Sequence, residues 1–455
     1  MWIRNKYFRW LNDLSPVQLI VLFYGFAVLL ACVLLGLPVA HKDGVDLELI
    51  DLIFTSVSAV SVTGLSTVSI ADTFSVTGIF LLAFVLQLGG LGIMTLGTFI
   101  WVMLGKKIGL RERRLIMTDT NQTNFQGMVR LTKQILTLVL AIEFVGFLIL
   151  GTYYLQYFST WQEAYYQGFF AAVSATTNAG FDITGQSLVP FQDDYFVQFI
   201  HIILIILGAI GFPVLIEVRD YLFSSSDQRR VMRFSLFTKL TTTTFLILII
   251  VGTLFIMLLE MNYFFSGKAW HEILFFSLFQ SVTTRSAGLS TMDVSQFTEQ
   301  TQLLMTALMF IGASPSSVGG GIRTTSFALI VLFLFTFARG KKRIKVFRRE
   351  VHEDDLFKAV AVFIMAIITY FTAVLLIIAV EPFEILEIMF EVASAFGTTG
   401  LSLGITPDLT SFSKVVLILL MFIGRIGILT FLFSFNQDRK KEGHYQYPTE
   451  RIIIG

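Results

Sequence analysis

The sequence predicts an all-α integral membrane protein made of four tandem helix–pore loop–helix repeats. This means eight spans and four re-entrant half-helices in a pseudo-fourfold arrangement around one pore. Three observations predict this fold class. Hydrophobic residues make up 55% of the 455-residue chain, and charged residues only 14%. Apolar segments long enough to cross a bilayer alternate with shorter ones. A glycine-containing signature recurs at a nearly constant interval, which indicates an internally repeated unit.

The composition excludes a soluble protein. A soluble domain with a mean hydropathy of +0.75 would expose much of its apolar sequence to water. The single cysteine, Cys32, lies in an apolar run, so the sequence offers neither a disulfide framework nor a cysteine metal site. No small-residue cleavage site follows the first apolar run, and we interpret that run as a retained helix.

Eight apolar segments reach the roughly 20 residues that a helix needs to cross the hydrocarbon core. Four shorter segments, of about 14 residues each, lie between the members of successive pairs and are too short to cross. We interpret the shorter ones as re-entrant half-helices. The predicted spans cover residues 17–40, 74–104, 131–157, 195–223, 236–261, 301–337, 356–380 and 412–435. The predicted half-helices cover residues 47–60, 163–176, 270–283 and 384–397.

Each half-helix ends at a run of small residues that closes with glycine and is followed by a large apolar residue. The four glycines are Gly64, Gly180, Gly288 and Gly400, at intervals of 116, 108 and 112 residues. A single run of this kind would be interpreted as a helix C-cap, whereas four copies favour four pore loops. The predicted filter residues are Val60, Ser61, Val62, Thr63, Gly64, Thr176, Thr177, Asn178, Ala179, Gly180, Thr284, Arg285, Ser286, Ala287, Gly288, Phe396, Gly397, Thr398, Thr399 and Gly400.

Glycines and uncharged oxygens are what a filter for monovalent cations requires. Backbone carbonyls replace the hydration shell of a cation without adding charge, so binding stays weak enough for release. Glycine lets successive carbonyls turn one way without Cβ strain, and half-helices aimed inward direct their negative C-terminal ends at the cavity. The hydroxyls of Thr63, Ser286 and Thr399 are candidate additional ligands. The signatures contain no ring of carboxylates or histidines, which argues against a divalent cation.

The third return segment departs from the others. It covers residues 301–337, too many for one crossing at 1.5 Å per residue, and residues 312–323 combine glycines, serines and a proline. Irregular backbone at membrane depth is tolerated where it is buried in protein or lines a watery cavity. We therefore predict an intramembrane gate loop at 312–323. The predicted gate residues are Gly312, Ala313, Ser314, Pro315, Ser316, Ser317, Gly319, Gly320, Gly321 and Arg425.

Two arginines, Arg285 and Arg425, lie in or just below the predicted filter. Buried basic residues in spans are costly and usually functional. Arg425, below the filter, would impose an electrostatic barrier to a cation, and the alternative is a pair with a buried acid, namely Glu391, Glu143 or Glu217. Arg285 is expected to point away from the ion path and to anchor its loop, because a cation in the path would prevent conduction.

The return segments carry glycines where a straight helix would not favour them. These glycines fall within 89–92, 208–211 and 424–427. Two interpretations stay open at this point. Small residues let helices approach closely in lipid, and glycine also permits a kink, since it lowers helix propensity by about 1 kcal/mol relative to Ala.

Lys and Arg cluster at one end of the predicted spans, and the positive-inside rule puts those clusters in the cytoplasm. With eight crossings, both termini are then expected in the cytoplasm, and the chain is predicted to be a multi-pass protein of the cell membrane. The clusters are Arg4–Arg9, Lys106–Arg114, Arg229–Lys239, Arg339–Arg349 and Arg439–Lys441. The predicted units are the N-terminus (1–16), repeat 1 (17–114), repeat 2 (115–235), repeat 3 (236–349), repeat 4 (350–436) and the C-terminal tail (437–455).

With these motifs, the chain resembles the Trk/Ktr/HKT superfamily of potassium transporters, and most of all the KtrB-type (KtrB/KtrD) membrane subunit of bacterial Ktr systems. The four signatures, the loop at 312–323 and the stretch Met421–Gly427 carry the resemblance, which extends from about residue 12 to residue 436. It implies K⁺ bound at the filter carbonyls. Relatives that carry Na⁺ have serine at the first filter glycine, so Gly64 implies K⁺ selectivity.

The resemblance also implies partners. It implies a homodimer on a cytoplasmic ring of RCK-type nucleotide-binding subunits (KtrA/KtrC-like), with Na⁺ as a candidate activator. The sequence itself contains no dinucleotide-binding glycine motif, so no cofactor is expected in this chain. The basic clusters could dock the ring or bind membrane lipids, and no nucleic acid is expected.

Three alternative functions make different predictions about the sequence. A Na⁺-conducting or K⁺/Na⁺-cotransporting member of the same superfamily is the main alternative. An alternating-access symporter would favour inverted repeats and midplane carboxylates, whereas these repeats run in parallel. An intramembrane enzyme would need a catalytic constellation within the spans, and the sequence contains none, so the chain is predicted not to be an enzyme.

Overall fold

The computed structural model describes residues 14–92, 128–225, 227, 232–434 and 450. Nearly all regular structure in these residues is helical. The helices are α1 Pro16–Leu35, α2 Leu49–Ser61, α3 Ile70–Thr73, α4 Val76–Leu91, α5 Met128–Tyr153, α6 Trp161–Thr177, α7 Tyr195–Ala209, α8 Phe212–Phe223, α9 Leu236–Glu260, α10 Trp270–Thr283, α11 Glu299–Ile311, α12 Thr324–Ala338, α13 Glu353–Ile378, α14 Ile385–Gly397, α15 Ser411–Ile426 and α16 Ile428–Ser434. Strands β1 Lys345–Val346 and β2 Arg349–Glu350 pair antiparallel.

The described helices confirm an all-α membrane protein. Four of them are long and apolar enough to cross a membrane, or five if the bent pair α7 and α8 is one span. The four are Val17–Leu35, Val129–Gln156, Leu236–Glu260 and Glu353–Ile378. The eight spans and the repeat boundaries stay predictions. Outside the described residues lie the N-terminus before residue 14, the cluster Lys106–Arg114, part of the cluster Arg229–Lys239, and the tail except residue 450.

Local sequence explains where the long helices begin. Ser15 and Gln18 form a capping box at the start of α1: the Gln18 N–H donates to Ser15 Oγ (3.2 Å), and the Ser15 N–H donates to Gln18 Oε1 (2.9 Å). Pro16 then occupies the first helical position, where its missing N–H costs nothing. Ser235 caps α9 in the same manner by accepting from the N–H of Thr238 (3.1 Å).

The short half-helices, and not the long spans, form the interior. Every residue from Phe54 to Ser61 in α2 and from Phe390 to Gly397 in α14 is buried. In α1, by contrast, only 28% of the apolar window is buried within the protein. The exposed face of such a helix is apolar, as lipid contact requires. The longer helices therefore surround the half-helices.

One set of return-segment glycines packs against the half-helices. A Cβ on Gly89, Gly208 or Gly424 would overlap the carbonyl oxygen of Val60, Thr176 or Phe396, respectively. Each of those three carbonyls lies four residues before a signature glycine. The close-packing interpretation therefore holds for these three glycines, which let the return helices approach the half-helix ends.

A second set of glycines breaks the same helices. Gly92 ends α4 with φ 85° and ψ 134°, Gly211 separates α7 from α8 with φ 103° and ψ 130°, and Gly427 separates α15 from α16 with φ 92° and ψ 135°. Residues with a side chain rarely adopt this conformation. The two parts of the second return segment are bent by 106°. The kink interpretation therefore holds at Gly211 and Gly427, where a second helix follows the break within the predicted spans 195–223 and 412–435.

Carboxylates join the first helix of two repeats to the return helix. Glu260 Oε1, at the end of α9, accepts from the N–H of Thr298 (2.9 Å) and from its hydroxyl (2.7 Å). Glu381, just beyond α13, makes the same pair of bonds with Thr410, at 2.9 and 2.6 Å. Burial raises the pKa of the Glu381 carboxyl, but hydrogen bonds from Ser413 and Thr410 outweigh burial and lower the pKa below its ordinary value of 4.5.

We expect Glu381→Ala to lower the free energy of unfolding by about 1–3 kcal/mol at neutral pH, because the N–H and the hydroxyl of Thr410 lose a charged hydrogen-bond partner in a partly buried setting. A lowered folded-state pKa means that the stabilisation is present at neutral pH and is lost as the pH falls through that pKa. Unfolding of the purified protein in detergent, followed at pH 7 and at pH 3–4, measures both effects. Asp46→Ala, at an exposed carboxylate, is the control, and an equal effect of both variants would contradict the expectation.

Candidate functional site

The four signature glycines lie together in a closed ring. A Cβ on Gly64 would lie 2.9 Å from the Cα of Gly180, and a Cβ on Gly180 would lie 3.1 Å from the Cα of Gly288. A Cβ on Gly288 would lie 3.0 Å from the Cα of Gly400, and a Cβ on Gly400 would lie 3.0 Å from the Cα of Gly64. The chain order of the loops is therefore also their order around the ring.

The four loops share one backbone pattern. The residue two before each glycine has a positive φ: 57° at Val62, 53° at Asn178, 77° at Ser286 and 47° at Thr398. The glycines that follow have φ of 96°, 69°, 73° and 96°, and the residue between the two does not have a positive φ. Carbonyls of an ordinary strand alternate in direction, whereas alternating the sign of φ turns successive carbonyls to one side, as in ion filters.

Backbone carbonyls line the ring. A Cβ on Gly64 would lie 2.5 Å from the carbonyl oxygen of Ala179, and a Cβ on Gly180 would lie 3.1 Å from that of Ala287. At Gly288 and Gly400 the added atom would overlap the carbonyl oxygens of Thr399 and Thr63, respectively. In every case the oxygen belongs to the residue just before the glycine of a neighbouring loop. The centre thus presents uncharged oxygens.

Each signature is also a helix C-cap, so the lone-copy interpretation is correct as local structure. The N–H groups of Thr63, Ala179 and Thr399 donate back to the carbonyls of Ser58, Ser174 and Ser394, each at 2.8 Å. The third loop differs. Thr284 keeps a right-handed conformation, and the left-handed residue is Ser286, one residue beyond Arg285. In the first, second and fourth repeats the first two residues of the predicted filter segment belong to the last helical turn, whereas the third segment begins just beyond its half-helix; in all four the final three residues form the ring.

Hydroxyls behind the ring hold the glycines in place, and the sequence analysis did not assign them a role. Ser58 Oγ accepts from the N–H of Gly64 (3.1 Å), and Ser394 Oγ accepts from the N–H of Gly400 (3.0 Å). Ser174 instead donates to the carbonyl just after its glycine, that of Phe181, at 2.6 Å. The sequence signal for this role was a serine six residues before the glycine, which is present in three of the four repeats. In the third repeat Thr283, five before, donates to the carbonyl of Leu289 (2.5 Å).

The three candidate hydroxyl ligands differ in their surroundings. The Thr63 hydroxyl lies 2.6 Å from that of Ser61. Ser286 Oγ donates to the carbonyl of Thr398 at 2.6 Å and therefore joins the third loop to the fourth. Thr399 Oγ1 is buried and has no hydrogen-bond partner among the described atoms. Thr399 is thus the candidate whose oxygen is still available.

Residues 312–323 form an irregular loop between α11 and α12, as predicted, and it lies directly beneath the ring. The Gly320 N–H donates to Ser286 Oγ (3.2 Å). A Cβ on Gly319 would come within 2.6 Å of the side chain of Ser286, and a Cβ on Gly320 within 2.6 Å of that of Thr398. The glycines of the loop therefore allow it to pack against the third and fourth signatures.

The second repeat supports the other side of the loop. The N–H of Ser314 donates to the carbonyl of Ala209 (3.1 Å), and the N–H of Val318 donates to that of Gly208 (3.3 Å). In return, the N–H of Phe212 donates to the carbonyl of Ser316 (2.8 Å). These bonds use backbone groups that the break at Gly211 leaves without helical partners. The loop of the third repeat thus packs into the break between α7 and α8 of the second repeat.

Arg425 is bound by carbonyls. Its guanidinium donates to the carbonyl of Val318 in the loop and to those of Gly89 and Gly90, the last at 3.2 Å. The proposed acid partners are engaged elsewhere in the described structure: Glu391 with Ser402, Leu403 and Thr406, Glu143 with Gln87, and Glu217 with Ser235. The acid-pair alternative is therefore wrong, and Arg425 links the loop to the end of α4.

Arg285 is completely buried, and its guanidinium Nη2 donates to the carbonyl of Leu308 in α11 at 2.6 Å. The side chain is thus directed at a neighbouring helix, as expected for an anchor. The described residues contain no group of three or more His, Cys, Asp or Glu side chains that could hold a metal ion. Any cation at the ring would therefore depend on backbone and hydroxyl oxygens.

A helical membrane protein with a carbonyl-lined ring at its centre belongs to the class of cation transport proteins, and sequence comparison agrees. Residues 33–442 match the family model TrkH, described as a cation transport protein. The chain belongs to this family, which confirms the resemblance inferred from its motifs. Its matched relatives are ion transporters and not enzymes.

Two relatives from Bacillus subtilis (strain 168) align along the whole chain. Ktr system potassium uptake protein D is 60% identical over 453 residues and covers 100% of both chains. Ktr system potassium uptake protein B is 35% identical over 456 residues and covers 99% of each. The fold matches the crystal structure of the potassium transporter TrkH from Vibrio parahaemolyticus with a TM-score of 0.72, at 21% identity over 92% of this chain and 85% of the other.

We expect Gly288→Ala to abolish cation flux through the purified protein in liposomes, because its Cβ would overlap the Thr399 carbonyl and its φ is +73°. Gly267→Ala is the matched control, since Gly267 has a φ of +80° but open space around it. Both variants carry backbone strain, and only the first fills the ring. Equal flux in the two variants would contradict the ring as the ion path.

Proposed function

We propose that the chain is the membrane subunit of a K⁺ uptake system and conducts K⁺ inward through the glycine ring. The observation that carries the proposal is the ring of four carbonyl-lined glycine loops. Uncharged oxygens suit a monovalent cation that must bind weakly enough to leave. The names of both Bacillus relatives specify potassium uptake, which supports K⁺ over the Na⁺-conducting alternative, as does Gly64 in the first loop.

The half-helices provide the favourable field for a cation. Each of α2, α6, α10 and α14 ends at the ring, so four C-terminal ends with partial negative charge meet there. The membrane potential then supplies the driving force, about 2.3 kcal/mol per charge for each 100 mV. We infer eight crossings, with each half-helix entering from outside and both termini in the cytoplasm.

The gate in this proposal is the loop at 312–323 together with Arg425. The loop lies beneath the ring, and a guanidinium bound to its Val318 carbonyl puts a positive charge below the ion path. A cation leaving the ring meets both obstacles. Opening requires that the loop give up its bonds to Ser286 and to the second repeat.

Regulation would come from partner subunits. The Ktr relatives are named as parts of a system, which supports a membrane subunit working with others, and we propose a homodimer docked on an RCK-type nucleotide-binding ring. The hairpin of β1 and β2 is a candidate docking surface, because residues 339–349 are strongly basic and most of them are exposed. Na⁺ is proposed as an activator and K⁺ as the substrate.

Deleting residues 314–320 should raise K⁺ flux into liposomes that contain the purified chain without its partners, because the obstacle beneath the ring is removed. Flux is measured with K⁺ and with Na⁺ outside, and the parent chain is the reference. A folded deletion variant with the parent's flux would contradict the gate. A deletion variant that passes both ions equally would contradict the ring as the selective element.

A further inference from the structure

In each of the four return segments a residue with one shared backbone conformation stands at a helix end, and only the third segment has a residue other than glycine there. Arg323, the residue before α12, has φ 83° and ψ 139°. These angles match those of Gly92, Gly211 and Gly427 within about 20°, the usual scatter of a regular conformation. Arg323 is thus the third-repeat equivalent of the three break glycines, displaced along the sequence by the inserted loop.

A side chain in this conformation carries backbone strain, which persists only where the surroundings impose it. The surroundings of Arg323 do so on both sides. Its N–H donates to the carbonyl of Ile311 (3.0 Å), and its carbonyl accepts from the N–H of Phe327 (3.1 Å) as the first bond of α12. The adjacent Thr324 N–H donates to the carbonyl of Ala313 (3.1 Å). The base of the loop therefore holds residue 323 in its strained conformation.

Unlike glycine, Arg323 has a side chain that can bind the carbonyls of the loop. Its Nη1 donates to the carbonyl of Gly319 and lies 3.4 Å from that of Ser314. Arg425 holds the preceding carbonyl, that of Val318, and Ser286 holds the following N–H, that of Gly320. Three successive residues of the loop are therefore bound in the position that lies beneath the ring.

We propose that Arg323 is a positioning residue of the gate, in which the guanidinium holds the loop closed while the strained backbone favours opening. This inference rests on the proposed gate. The guanidinium stabilises the closed loop, whereas the backbone strain destabilises it. Removing the guanidinium alone favours the open loop, and removing the strain as well returns part of the population to the closed loop.

Two substitutions separate the effect of the guanidinium from the effect of the backbone strain. Arg323→Ala removes the guanidinium but keeps a Cβ and hence the strain, whereas Arg323→Gly removes both. K⁺ flux into liposomes should rank Arg323→Ala above Arg323→Gly, and Arg323→Gly above the parent. The expected ratio of the alanine to the glycine variant is about tenfold, or about 1.4 kcal/mol, which lies within the range for such strain. Arg323→Met, which keeps the volume of the side-chain stem, should behave as alanine does.

Loop position is read independently from cysteine labelling. Cys32 is the only cysteine in the sequence, so Cys32→Ser provides a background for Ser317→Cys in the buried part of the loop. A water-soluble thiol reagent should label residue 317 fastest with Arg323→Ala, more slowly with Arg323→Gly and slowest with the parent arginine. Arg130→Ala, at an exposed position in the first turn of α5, controls for loss of a positive charge and should leave both readouts unchanged.

The deletion of 314–320 distinguishes failure of the proposed gate from failure of the proposed role of Arg323. If the deletion leaves flux unchanged, the gate itself is wrong. If the deletion raises flux but Arg323→Ala and Arg323→Met keep the parent's flux and labelling rate, the role of the guanidinium is wrong. Equal flux in the alanine and glycine variants would overturn the role of the strain.

Discussion

The close approach of four backbones at the glycine ring is the constraint on which the rest of the structure depends. A Cβ on each glycine would lie only 2.9–3.1 Å from the Cα of its neighbour, so no side chain fits at Gly64, Gly180, Gly288 or Gly400. The half-helices must end in left-handed turns to bring their last carbonyls there. The return helices must in turn carry glycine at 89, 208 and 424 to pack against those ends.

The third repeat departs from the fourfold pattern in several linked ways. Its half-helix ends five residues before the signature glycine, against three in the other repeats, so that Arg285 lies between the helix end and the left-handed Ser286 and binds α11. That serine binds the fourth loop through the carbonyl of Thr398 and the gate loop through the N–H of Gly320. One hydroxyl therefore joins two ring loops to the segment beneath them, and under the proposed function this contact couples the filter to the gate.

Repetition in the sequence predicted the main elements well. Four copies of one signature identify the ring glycines, because each copy supports the others, and the loop at 312–323 stands out because glycine, serine and proline oppose a helix. The glycines of the return segments could not be divided into packing and breaking sets from sequence, because both roles favour the same residue. Only the backbone angles and the neighbouring carbonyls separate Gly89 from Gly92.

Hydrogen-bond partners were the least predictable part. Arg425 binds carbonyls of Gly89, Gly90 and Val318, which are distant in sequence, whereas the sequence suggested a buried acid as the alternative to a pore-facing guanidinium. Backbone groups leave no residue-type signal, so a carbonyl cage around an arginine cannot be read from composition. The serines six before the glycines were visible as a pattern, but their role required the geometry of the turn.

The most direct test of the account is K⁺ and Na⁺ flux into liposomes containing the parent chain, Gly400→Ser or Gly404→Ser. Both glycines have φ of +96°, but Gly400 lies in the ring and Gly404 has open space around it. The account predicts K⁺-selective flux in the parent and in Gly404→Ser, and lost flux or lost selectivity in Gly400→Ser. K⁺-selective flux that survives unchanged in Gly400→Ser would contradict the glycine ring as the selective element.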